Sequence, residues 1–165
     1  MHINVFVDDQ TLELTDDSGN LHSYSVSTAS KGTGQQEGSW QTPLGKHIIR
    51  AKIGDGCPLH TVFLSRRPTG EIFSSELQAG YPERRDWILT RILWLSGTEP
   101  GFNRLGNVDT MRRYVYIHGS ADHAIMGTPG SRGCIRMHGN DLIDLFDKIK
   151  PGTPVNIVIS RKDIL

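Results

Sequence analysis

The chain has 165 residues, enough for one compact domain with its own core, and no Pro/Ser-rich linker divides it. Its 18 acidic residues balance its 18 basic ones, which excludes attachment to nucleic acid or a membrane surface by bulk charge. No run approaches the roughly 20 apolar residues of a spanning helix, so no membrane span is expected.

Eighteen glycines and eight prolines predict many turns and a strand-rich body, mostly β with a few helices. The start, MHINVFVDDQ, lacks a basic stretch followed by an apolar one. No secretory signal is expected from it, which leaves cytoplasmic action, export by another route, or a signal outside the sequence. INVFVDD, TLELTDD and HSYSVST alternate apolar and polar residues between Asp, Ser, Gly and Asn, and predict three short antiparallel strands. SKGTGQQEGSW is a polar, glycine-rich loop. QTPLGKHIIRAKIG is a turn followed by a strand, and HTVFLS is another strand. From Arg66 to Asp86 the polar composition, with scattered Gly and Pro, predicts a long surface excursion.

WILTRILWLSG is apolar enough for a buried strand, with a helix as the alternative. After the loop TEPGFNRLGNVDTMRR comes YVYIHG, a β-branched and aromatic segment that predicts a central strand ending in histidine and glycine. NDLIDLFDKIKPG is the clearest helix. Asn140 is its expected N-cap, Leu142, Ile143, Leu145, Phe146 and Ile149 form one apolar face, and Pro151-Gly152 stop it. TPVNIVI closes the chain as a strand.

Of the two cysteines, Cys134 carries the chemical signal. It lies in GSRGCIRM, after Pro129-Gly130 and Gly133, where the backbone bends freely. CIRMHGNDL reads as the start of a helical turn, whose unpaired amides and dipole would favour a thiolate at Cys134. Gly133 would let the Gly133 and Cys134 amides face one point, forming an oxyanion hole. His118 ends the YVYIHG strand, and a Gly/Pro-rich loop of twelve residues separates it from Ser131. Such a loop can return the sulfur to the imidazole, the usual base for a cysteine. The bland reading, an inert buried cysteine and a structural histidine, loses weight once the two are paired.

IHGSADHAIMGTPGSRGCIRM resembles the signature of the L,D-transpeptidase (YkuD-type) catalytic domains. QTPLGKHII resembles that family's Thr-Pro-x-Gly turn, and NDLIDLFDKIKPGTPVNIV its closing helix and strand. The clearest likeness runs over 39–159, within a single catalytic domain spanning 1–165. The resemblance implies a β-sandwich-like domain of mixed sheets, with Cys134 as nucleophile and His118 as general base. It implies that the Gly119 carbonyl orients the base and that the Gly133 and Cys134 amides bind the oxyanion. Ser131 and Arg136 match positions that shape the loop and substrate cleft. It also implies acylation by carbapenems and no metal or cofactor.

The partners implied are peptidoglycan stem peptides: a donor tetrapeptide, and as acceptor an amine, a D-amino acid or water. These acceptors correspond to 3–3 cross-linking, exchange and L,D-carboxypeptidase activity. The resemblance implies the bacterial cell envelope or periplasm, in tension with the missing signal. Arg132 stands where the family usually has histidine. Its guanidinium would attract a carboxylate or the sulfur; alternatively, it marks a muropeptide-binding relative with impaired catalysis.

Weaker constellations remain. Cys57/His60 and Cys134/His138 have the spacing of loose zinc-ligand pairs, and a metal-dependent hydrolase is the reading they would support. His123 reads as exposed rather than as an auxiliary base. Asp109, Arg112 and Arg113 read as a solvated loop rather than a carboxylate site. Trp40, Trp87 and Trp94 read as core or rim packing.

Overall fold

The computed structural model describes residues 1–84 and 86–164. The chain is mostly β, built on one curled mixed sheet. Strands β1 (His2–Phe6), β2 (Thr11–Thr15) and β3 (Leu21–Ser25) form the expected antiparallel meander. Their alternation sends Ile3, Val5, Leu12 and Leu14 into the core. Strand β4 (Gly45–Ile53) follows the QTPLG turn, and β10 (Pro154–Val158) lies between β4 and β1, parallel to β1.

The centre of the sheet is β7 (Leu89–Gly97), antiparallel to β4 on one side and to β8 (Tyr116–Ser120) on the other. WILTRILWLSG is thus a strand, not a helix. Its two faces serve different layers. Leu93 and Leu95 join the main core, and Ile92 packs with Phe63 and Tyr116 on the opposite side. Helix α2 (Gly139–Lys148) covers the main core with Leu142, Leu145 and Phe146 buried. Ile149 is also buried, while Ile143 is only half-buried. Each such side chain contributes about 1.5–3 kcal/mol on leaving water.

Three expectations are corrected here. The Arg66–Asp86 excursion contains strand β6 (Arg67–Ile72), paired with β5 (Thr61–Leu64), and a short helix α1 (Ser75–Ala79). All six residues of β6 are exposed, so the sequence carries no alternation to reveal it. Second, the residues after Cys134 are not helical: Ile135–His138 form β9, parallel to β8. Arg136 also exchanges two 2.9 Å backbone hydrogen bonds with Ser27, so long-range pairing overrides the local helical signal. Third, α2 starts at Gly139 with His138 as N-cap, which leaves Asn140 inside the first turn.

Candidate active site

The parallel register of β8 and β9 sets Ile117 beside Ile135 and His118 beside Arg136. Side chains alternate along a strand, so Ile117, Ile135 and Met137 enter the main core. Tyr116, His118, Cys134 and Arg136 share the other face. Cys134 packs there against the Phe63, Ile92 and Tyr116 cluster. His118 and Cys134 are therefore diagonal neighbours on one sheet face, brought together by strand pairing.

His118 is 1% exposed, and its Nδ1 lies 2.8 Å from the Gly119 carbonyl oxygen. A carbonyl only accepts, so Nδ1 carries the hydrogen and Nε2 keeps its lone pair. Burial lowers the His118 pKa to about 4, outweighing the Gly119 hydrogen bond and the Asp86 charge; the Arg136 cation lowers it further. The imidazole is neutral near pH 7. Gly119 itself is required by close packing: a Cβ there would lie 2.4 Å from the Leu89 carbonyl oxygen.

Cys134 is half-buried and lines a cleft of about 320 Å3. The Tyr116 N–H donates to its sulfur at 3.3 Å, and the thiol faces the Tyr114 carbonyl at 3.5 Å. Burial pushes the Cys134 pKa up to about 11, against the opposing pull of the Tyr116 N–H, Arg136 and Arg113. The resting pair is thus thiol and neutral imidazole. No helix N-terminus lowers the thiol, because β9 occupies that place. No hydrogen bond joins Cys134 to His118 among the described residues.

The loop carrying Cys134 is held by hydroxyls. Ser131 Oγ donates to the Cys134 carbonyl in a short contact and accepts from the Gly133 N–H at 3.2 Å. The Gly133 amide, expected in an oxyanion hole, is engaged by Ser131 in this structure. Gly133 adopts φ of +129°, which other residues avoid. Thr42 Oγ1 donates to the Gly133 carbonyl at 2.9 Å and accepts from the Ala29 N–H at 3.0 Å. The QTPLG turn is thereby fastened to the cysteine loop. The sequence contained Thr42 without indicating this contact.

The cleft walls add residues that sequence reasoning missed or placed differently. Asp86 pairs with Arg136 in a short contact, and Arg136 also donates to the Gly130 carbonyl at 3.0 Å. Arg113 does not belong to a solvated loop. It donates to the carbonyls of Gly34, Gln35 and Gln41 at 3.2, 3.1 and 2.6 Å, fixing the 34–41 loop. Asp109 is buried and accepts from the Leu105 and Arg112 amides at 2.7 and 3.0 Å, so it too is structural. Arg112 is exposed and lines the cleft. Arg66 caps the β5–β6 hairpin, donating to Tyr116 Oη at 3.1 Å and lying over Trp94 and Tyr114 at 5.0 and 4.9 Å. Arg132 is exposed, with its guanidinium 4.3 Å from the Trp40 ring centre.

Trp40 is at the cleft rim, 47% exposed, whereas Trp87 is buried and Trp94 half-buried. His123 lies near Phe73, with ring centres 6.1 Å apart, and His60 pairs with Asp122 at 3.0 Å. Among the described residues, no three His, Cys, Asp or Glu side chains come close enough to share a metal ion. Both cysteines are free thiols.

His118, with its tautomer fixed by the Gly119 carbonyl, thus shares one sheet face with Cys134, which lines the cleft. The chain belongs to the L,D-transpeptidase catalytic domain family, whose model matches residues 1–157. Solved structures agree on the fold. An L,D-transpeptidase from Mycobacterium smegmatis superposes with a TM-score of 0.54 at 17% identity, covering 94% of this chain and 57% of the other. A mutant L,D-transpeptidase of Enterococcus faecium gives 0.56 at 17%, covering 95% and 49%. L,D-transpeptidase 3 from Mycobacterium tuberculosis, solved with a faropenem-derived adduct, gives 0.56 at 15%, covering 94% and 58%. The chain thus spans about half to three fifths of these relatives' lengths. No curated protein matches the chain at a significant level. Among the described residues, no helix is long and apolar enough to cross a membrane.

Proposed function

We propose that this chain is a single catalytic domain acting as a cysteine L,D-transpeptidase on peptidoglycan stem peptides in the bacterial cell envelope. The observation that carries the proposal is the Cys134–His118 face, with Nε2 left unprotonated by the tautomer that the Gly119 contact fixes and Cys134 lining the cleft. Family membership supplies the substrate class.

The donor is a stem tetrapeptide whose L,D bond, after the third, diamino acid residue, lies over the sulfur. His118 Nε2 takes the Cys134 proton as sulfur attacks the carbonyl carbon, since free thiolate is scarce for a thiol held near 11. The C–S bond forms, the oxyanion develops toward the Cys134 amide, and the imidazolium returns its proton to the departing amine. The terminal D-amino acid leaves, and the stem remains as a thioester. An acceptor amine then loses a proton to His118, attacks the thioester and regenerates the thiol. A second stem's amine gives a 3–3 cross-link, a free D-amino acid gives exchange, and water gives carboxypeptidase activity. No step requires a metal.

Engagement of the Gly133 amide by Ser131 leaves two arrangements for the oxyanion. Ser131 releases Gly133 when substrate binds, or Tyr116 N–H replaces Gly133 as the second donor after the sulfur moves onto carbon. The test is incubation with a stem tetrapeptide, reading D-amino acid release and intact mass. The expected result is stoichiometric acyl-enzyme on Cys134. Release that persists in Cys134→Ala would overturn the proposal.

A further inference from the structure

Beside the main cleft lies a smaller hollow of about 150 Å3, lined by Ser30, Lys31, Trp40, Ser131 and Arg132. Trp40 and Arg132 line both spaces, so their stacked side chains form the shared wall. The hollow presents two cations and two hydroxyl residues, and no carboxylate lines it. A water molecule occupies roughly 30 Å3 in the liquid, so a carboxylate and its nearest waters fit.

The cations at and around the main cleft differ in how fully they are committed. Arg113 is held by the loop carbonyls and Arg136, behind the cleft lining, by Asp86 and the Gly130 carbonyl, whereas Arg112 is exposed on the cleft wall. Lys31 contributes only its backbone carbonyl, accepting from Gln41 Nε2 at 3.0 Å. Among the described residues, its ammonium and the Arg132 guanidinium have no anionic partner. Arg132 nevertheless has one contact that favours its position, a cation–π approach 4.3 Å above the Trp40 ring centre. Trp40 holds φ of +59°, a conformation that bulky residues avoid and that surrounding structure must maintain. The ring under Arg132 is thus held at a backbone cost.

We propose that this hollow is a carboxylate subsite in which Lys31 and Arg132 bind a free acid group of a stem peptide while the reacting carbonyl sits at Cys134. It rests on the transpeptidase reading and deepens it: the recognised stem is the acid form, and its carboxamide is discriminated against. Arg132 is two residues from the nucleophile, and Ser131, which lines the hollow, bonds the Cys134 carbonyl. Occupation of the subsite therefore orients peptide against the loop that carries the sulfur. The carboxylate belongs either to the donor stem or to the acceptor stem; the chemistry is the same.

Two arms distinguish these sources. In the first, calorimetry measures binding of a stem tetrapeptide in acid and carboxamide forms to Cys134→Ala, with and without Lys31→Gln/Arg132→Gln. In the second, the pre-formed acyl-enzyme is partitioned between water and acceptor stems in acid or carboxamide form. The acid form should be preferred roughly tenfold in one arm, the size of a charge-assisted contact. The preference should collapse in the double variant and return in part with Arg132→Lys. A preference confined to the first arm assigns the donor, and one confined to the second assigns the acceptor. The subsite is overturned if neither arm distinguishes acid from carboxamide, or if the double variant keeps the full preference. Failure of the transpeptidase reading looks different: the unmodified chain then forms no adduct and releases no D-amino acid.

Discussion

The floor of the cleft and its rim are built by different means. On the floor, the defining contacts run to main chain: His118 to the Gly119 carbonyl, the Tyr116 N–H to Cys134, and Thr42 to the Gly133 carbonyl. These positions follow from strand register and allow little adjustment. On the rim, Arg132 stacks on Trp40 and Arg112 is exposed to solvent. Those side chains can change without disturbing the sheet. On the proposed function, the contrast assigns the chemistry to positions fixed by the backbone and the selection of substrate to exchangeable side chains.

The sharpest way to break that comparison is at the floor. Cys134→Ala should abolish turnover, and His118→Ala should slow acylation by ~10^2–10^4-fold, the usual contribution of a positioned base. Both are read by single-turnover mass spectrometry. Retention of near-full rate in His118→Ala would remove the base assignment.

Gly119→Ala is the next largest effect. Its methyl would press on the Leu89 carbonyl, so about 1–3 kcal/mol of stability should be lost, together with acylation rate as the imidazole is displaced. Urea unfolding and adduct kinetics measure the two losses. A variant as stable and fast as the parent would mean that the backbone does not set the base.

The resting thiol provides a third test. With its pKa raised to about 11, Cys134 should react with iodoacetamide slowly at pH 7, tenfold faster per pH unit, and level off only near pH 11. A plateau from neutral pH would show a preformed thiolate–imidazolium pair instead.

Acid stability follows with a definite sign. His47 and His118 are buried and neutral, with pKa values lowered from 6.5 to about 4. Between those values the unfolded chain binds more protons, so stability is complete above about pH 6.5 and falls as pH drops toward 4. The loss is on the order of 3 kcal/mol per histidine at most. Denaturation curves across this window should flatten in His47→Gln, which keeps an amide to replace the contact to Thr110. Thr42→Val acts on stability alone and is expected to cost about 1–3 kcal/mol, because the buried Gly133 carbonyl and Ala29 N–H both lose their partner.

Much of the floor was legible in the sequence, because strands with alternating or continuous apolar residues announce themselves. YVYIHG read as a strand bearing His118 at its end, and GSRGC read as a glycine-bounded loop. What misled was local reading of CIRMHGNDL. Its helical signal starts at Gly139, and the first residues instead complete a parallel ladder to β8 and bond Ser27. No pattern within that stretch reveals distant pairing. The rim was largely hidden for the same reason: Asp86 on Arg136, Arg113 on the 34–41 loop and Arg66 on Tyr116 join residues far apart in sequence. Arg132 drew notice only because it departs from the expected histidine. Strand β6, exposed throughout, left no periodicity to find.

The most direct test of the central claim is intact-mass spectrometry of the chain during incubation with a carbapenem, alongside Cys134→Ala and His118→Ala. The account predicts one adduct on the parent chain, none on Cys134→Ala, and greatly slowed formation on His118→Ala. An adduct that persists in Cys134→Ala, or a reduced and accessible Cys134 that never acquires one, would contradict it.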